Sequence, residues 1–166
     1  HTSGLADYLE DAPRGGQSLV EAAFAGADRA IPLDAVVARV RDDLTPHFPP
    51  QSAVDPRARV RYSDTNYRLL CAVLEAVSGT PLAQLFAREL FVPLGMERSW
   101  FMGHEGPART GPAPATVRAG SVPLDRPALL TSLDSVFSTC PDLIRFLRAL
   151  TSGALFAAPG TWDVMC

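Results

Sequence analysis

Leu69, Leu70, Val73, Leu74 and Val77 fall on one helical stripe, and Gly79 follows where a left-handed helix end favours glycine. No other stretch of the chain is as strongly periodic. It commits the centre to an amphipathic helix opening near Tyr62-Ser63-Asp64, with Asp64 reading as N-cap of a helix that begins near Thr65. Thr80-Pro81 opens a further helix with Leu82, Leu85, Phe86 and Leu90 inward, and Pro93 ends it. Upstream, Leu33, Val36, Val37, Val40 and Leu44 form a helical stripe behind Pro32, which a first turn tolerates. Downstream, Thr139 reads as an N-cap with Asp142 at the positive end of its helix. Leu143, Ile144, Leu147 and Leu150 are expected on that helix's buried face, and Gly153 stops it.

Between these helices the composition turns to loop formers. TPHFPPQSAVDP holds four prolines, and residues 103–127 shift to Gly, Pro, Ala and Thr, which predicts a long irregular excursion. Only WFM at 100–102 and ARVRY at 58–62 read as short strands, and the terminal PGTWDVMC reads as a helix start. The expected fold is mainly α, with few short strands and long Gly/Pro-rich loops, in one domain over residues 1–166. No internal repeat is visible.

Composition narrows the chemistry. All fifteen Lys+Arg residues are arginine, so these residues offer no Schiff base, no P-loop lysine, no Ser–Lys pair and no KTG strand. Arginine cannot stand in, because it stays charged at any accessible pH. A net charge of −3 gives no electrostatic case for nucleic acid or an anionic membrane. No run of about 18 apolar residues is present, so no membrane span is expected. The opening HTSGLADYLE has neither the basic nor the apolar region of a signal peptide. Cys71 and Cys140 stand beside apolar residues on helices and read as buried thiols, with Cys166 the odd third. There is no CxxC and no histidine at ligand spacing from a cysteine, so no zinc site is expected. His1, His47 and His104 stand in terminal or loop contexts and read as surface or capping residues. GxSxG, GxGxxG and GxxxxGK[ST] are absent.

Three stretches, in order, carry a resemblance: HTSGLADY at 1–8, the run from Tyr62 to Phe101 that includes PLGM, and VFSTCPDLIRFLRALTSGAL at 136–155. They resemble the serine β-lactamase and penicillin-binding-protein-like family, which holds class C β-lactamases, DD-peptidases and related esterases. The likeness covers most of the chain outside the loops at 11–31 and 103–128. It implies the helical lobe of the β-lactamase/transpeptidase-like fold, as a fragment of a larger α+β serine hydrolase. In such proteins a Ser-x-x-Lys helix, a Tyr-x-Asn segment and a His/Lys-x-Gly strand meet in one cleft. Only the second has a counterpart here, Tyr62-Ser63-Asp64. The nucleophile motif is expected before residue 1 and the strand after residue 166.

The resemblance makes Tyr62 the catalytic general base and Asp64 a substrate-binding residue, with no metal and no cofactor. A phenol ionises near pH 10, too high for a base at neutral pH unless a cation such as lysine stabilises the phenolate. Many family members carry Asn where this chain has Asp64; a carboxylate accepts from lysine but cannot donate to a carbonyl. That departure weakens a β-lactamase assignment and favours an esterase- or peptidase-like relative. Asp134-Ser135 stands where relatives carry Gly-Gly, and Asp tolerates left-handed angles better than most residues. The expected reaction is acyl transfer through an acyl-enzyme on a small-molecule β-lactam, D-Ala-D-Ala peptide or ester. The fragment alone is expected to be inactive, and its open lobe interface to favour self-association. The family is often extracytoplasmic. The competing expectation is a non-catalytic binding module that reuses the helical lobe, in which case Tyr62 and Asp64 are core and cap.

Overall fold

Helix α1 (Leu19–Phe24) starts at a complete capping box, in which Ser18 accepts from the Glu21 amide and Glu21 accepts from the Ser18 amide. The structure, a computed structural model, describes residues 1–52, 55, 57–101, 118–119, 122–123, 127–158 and 160–165. The expected excursion at 103–127 therefore lies largely outside the described residues, as do Met102, His104 and Cys166. The chain forms two compact units, His1–Gly79 with Ala115–Asp134, and Thr80–Pro114 with Ser135–Cys166.

The first unit holds α1, α2 (Leu33–Ala38) with a π-helical continuation over Arg39–Asp43, and α3 (Asp64–Ser78). To these it adds a two-stranded hairpin of β2 (Arg118–Ala119) and β3 (Val122–Pro123), and α5 (Pro127–Leu130). Its core gathers Tyr8, Leu9, Ala23, Ile31, Val36 and Leu129. Polar anchors inside this core are satisfied: Tyr8 donates its hydroxyl to the Ser132 carbonyl, and the Ser132 hydroxyl accepts from the Ile31 amide. Arg68 of α3 pairs with Asp134, which holds a left-handed φ of 44°. Asp adopts that backbone angle more readily than most residues with a side chain.

The N-terminal segment is stitched to its neighbours by backbone bonds from His47 to Gly4, Gln51 to Thr2 and Arg61 to His1. Gly4 has a φ of 72°, and a Cβ there would meet the Phe48 carbonyl oxygen at 1.9 Å. Only glycine allows that approach. The expected strand at 58–62 does not form. Its amides go to the Gln51 side chain from Arg59 and the His1 carbonyl from Arg61, leaving no ladder.

The second unit holds α4 (Leu82–Phe86) with a π-helical continuation over Ala87–Phe91, then β1 (Trp100–Phe101). After these come β4 (Val136–Phe137), α6 (Cys140–Thr151) and α7 (Thr161–Met165). β1 and β4 pair antiparallel, with Trp100 opposite Phe137, and those two rings stack at 5.3 Å. Phe86 joins Phe91 and Phe101 at 6.0 and 5.3 Å. α6 starts as the sequence predicts: Thr139 caps the Asp142 amide, and Gly153 takes a left-handed φ of 76° beyond its end.

Two apolar faces depart from expectation. Leu143, Ile144 and Leu147 on α6 are 47%, 48% and 53% exposed rather than buried. On α3, Leu70, Val73, Leu74 and Val77 are also exposed. Periodicity reveals that a helix has an apolar face, and nothing in it says what covers that face. Cys140, expected as a buried thiol, is exposed at the start of α6; Cys71 is partly buried, and burial pushes its thiol up to about 11.

Candidate active site

The start of α3 is built by residues far away in sequence. Ser63 is the N-cap but its side chain makes no cap bond, and Asp64 is the first helical residue. Asp64 is therefore not the cap that local sequence suggests. The Asp64 amide instead donates to the Asp7 carboxylate at 2.7 Å, across 57 residues of sequence. Asp7 is 4% exposed and also accepts from the Leu9 and Glu10 amides. A buried carboxylate that accepts three backbone amides at the positive end of a helix is well compensated. Ser63 and Thr65 both donate to the Ala6 carbonyl, and Thr65 accepts from the Tyr8 amide. Residues 6–8 are thus riveted to residues 63–65.

This clamp presents Tyr62. Its ring is 56% exposed, and its hydroxyl donates to Asp64 Oδ1 at 2.7 Å. His1 and Tyr67 flank it, with ring centroids 4.7 and 5.8 Å from the Tyr62 ring and 5.2 Å from each other. Asn66 lies 3.2 Å from His1 Nδ1 and accepts from the Ser3 hydroxyl at 2.6 Å. Sequence reasoning placed Tyr62 and Asp64 together, and they are in direct contact. It missed Asp7, His1, Ser3, Asn66 and Tyr67 as their supports. His1, read as a surface histidine, is a wall of this aromatic cluster, and His47 hydrogen-bonds Asp11 at 2.8 Å. An apolar cleft lined by Leu19, Ala22, Arg29 and Leu129 contains none of these side chains.

The hydrogen bond to Asp64, followed by burial and by the negative charges of Asp64 and Asp7, holds the Tyr62 phenol above its ordinary value. Burial, with the Asp7 charge adding to it and the Tyr62 hydrogen bond opposing it, raises the Asp64 carboxyl. Tyr62 is thus a neutral donor here, and Asp64 is its acceptor. Among the described residues no cluster of His, Cys, Asp and Glu could hold a metal ion.

The beta-lactamase family model matches residues 1–162. The chain belongs to the beta-lactamase family. The fold agrees with known structures at low identity. A D-amino acid amidase from Ochrobactrum anthropi SV3, complexed with L-phenylalanine, matches with a TM-score of 0.67 and 23% identity, covering 98% of this chain and 43% of that one. A D-stereospecific amidohydrolase from Streptomyces sp. matches with a TM-score of 0.67 and 23% identity, covering 98% of this chain and 47% of that one. The chain thus spans less than half the length of these relatives. No curated protein matches it. The mainly helical architecture with short strands is that of the beta-lactamase-like fold. No single helix among the described residues is long and apolar enough to cross a membrane.

Proposed function

We propose that this chain is the helical lobe of a larger serine hydrolase, acting on an acyl bond through an acyl-enzyme, with Tyr62 at the reacting centre and Asp64 beside the substrate. The observation that carries this reading is the presented pair: an open phenol at the head of α3, hydrogen-bonded to Asp64 and walled by His1 and Tyr67. The nucleophile, its lysine and the His/Lys-x-Gly strand would come from outside these residues, since no lysine is present. The amidase and amidohydrolase neighbours favour an amide of a D-configured amino acid over a β-lactam, in keeping with Asp64 where β-lactamases have Asn. Esters share the same acyl chemistry and remain within the class.

The 166-residue chain alone is expected to be inactive. Purified chain incubated with nitrocefin, p-nitrophenyl acetate and D-phenylalanine amide should show no turnover above buffer. Turnover that Tyr62→Phe abolishes would overturn the division of the site. In the gene product that contains this chain, intact-mass spectrometry with an activated ester should show one acyl adduct per protein. The open apolar faces of α3 and α6 favour self-association of the isolated lobe. Sedimentation of the chain as a clean monomer would instead support an independent, non-catalytic module.

A further inference from the structure

The pairing of Tyr62 with Asp64 has a chemical consequence that an asparagine at the same position would not have. Asp64 Oδ1 sits 2.7 Å from the Tyr62 hydroxyl and accepts its proton in a hydrogen bond. An amide oxygen can accept such a bond, but it does not take up the proton near neutral pH; a carboxylate can do both. Among the described residues, groups from two segments face this pair. Tyr67 comes from α3, and the His1 ring and the Asp7 carboxylate come from the N-terminal segment, Asp7 through its bond to the Asp64 amide. Among the described residues the Asp64 hydrogen bond comes first in raising the phenol, followed by burial and the charges of Asp64, Tyr67 and Asp7.

We infer that Tyr62 works as a proton relay and that Asp64 is the terminal acceptor behind it. The inference rests on the hydrolase reading above. As a nucleophile's hydroxyl attacks the acyl carbon, its proton passes to the Tyr62 oxygen while the Tyr62 proton passes to Asp64 Oδ1. Two O–H bonds break and two form, a C–O bond forms as the carbonyl π bond opens, and the negative charge moves from the Asp64 carboxylate to the former carbonyl oxygen of the tetrahedral adduct. When the tetrahedral adduct collapses, the steps reverse: Asp64 returns its proton to Tyr62, and Tyr62 protonates the leaving amine or alkoxide. In this relay Tyr62 is never a free phenolate. Asp64 acts through Tyr62, as a positioning residue that also stores the proton. Burial favours this role, because it raises the carboxyl's affinity for a proton.

The test uses the gene product that contains this chain, with a D-amino acid amide and an activated ester as substrates. The parent protein should lose kcat/KM as pH falls through the Asp64 ionisation, above the ordinary carboxylate range. Asp64→Asn should lower kcat/KM on the order of 100-fold and remove that acidic limb. A tyrosinate titration of the 166-residue chain at 295 nm gives an independent readout. One tyrosine that ionises late in the parent should ionise earlier in Asp64→Asn, because its acceptor charge is gone. If Asp64→Asn keeps both the acidic limb and parental activity, the relay is wrong while the hydrolase reading stands. If the parent forms no acyl adduct with the activated ester, the hydrolase reading fails and the relay fails with it.

Discussion

Each unit of the molecule is organised around one buried aspartate, and the two do different jobs. Asp7 in the first unit is 4% exposed and accepts three backbone amides, from Leu9, Glu10 and Asp64. Asp142 in the second unit is 1% exposed and accepts one amide, from Arg98, together with the Ser99 hydroxyl and the Arg145 guanidinium. Amides belong to the backbone and cannot turn away when their acceptor is lost. A hydroxyl can rotate, and Arg145, half exposed, can return its charge to water. Asp7 is therefore the less replaceable of the two, although both are almost fully buried.

That difference sets an order of effects. Asp7→Ala should have the largest, about 3 kcal/mol of lost stability in urea unfolding, because three amides lose a charged acceptor. Asp142→Ala should cost less, about 2 kcal/mol by the same measurement, since only the Arg98 amide is stranded. Equal losses would show that side-chain partners cannot relax, and the contrast would collapse. The smallest effect should have the opposite sign. The folded state raises the Asp64 carboxyl, so the charged form costs stability at neutral pH. Asp64→Asn should therefore stabilise the isolated chain at pH 7. The gain should shrink as pH falls through the raised folded value, and vanish below the unfolded carboxylate value, where Asp64 is protonated in both states. Thermal melts of both proteins across that range decide it, and a gain that grows on acidification would contradict the assignment.

The same pair shows what was legible in the sequence. Thr139 and Asp142 form a local signal, and the cap they predict is present. The capping box of Ser18 and Glu21 is equally local, but the helix behind it is only six residues long and leaves no periodic apolar stripe to mark it. Asp7 left no such trace, since the amide it caps is 57 residues distant. Local chemistry therefore gave the capping role to Asp64 and left Asp7 without one. The Tyr-Ser-Asp segment was legible as a site only through family likeness, whereas its aromatic walls depend on how residues 1–3 cross the head of α3. The exposed stripes on α3 and α6 were legible as helices and misread in depth, because burial belongs to the neighbour and not to the period.

The reach from Asp7 to the Asp64 amide also sets an order of events during synthesis. Residues 1–11 leave the ribosome before α3 does, so the amide that Asp7 must cap is not yet made, and closing that long a loop is slow compared with winding a helical turn. α3 can coil before its first turn is anchored. Tyr62 therefore gains its final orientation only when residues 6–8 fold back onto the head of α3, so that helix can be wound before its first turn is rigid.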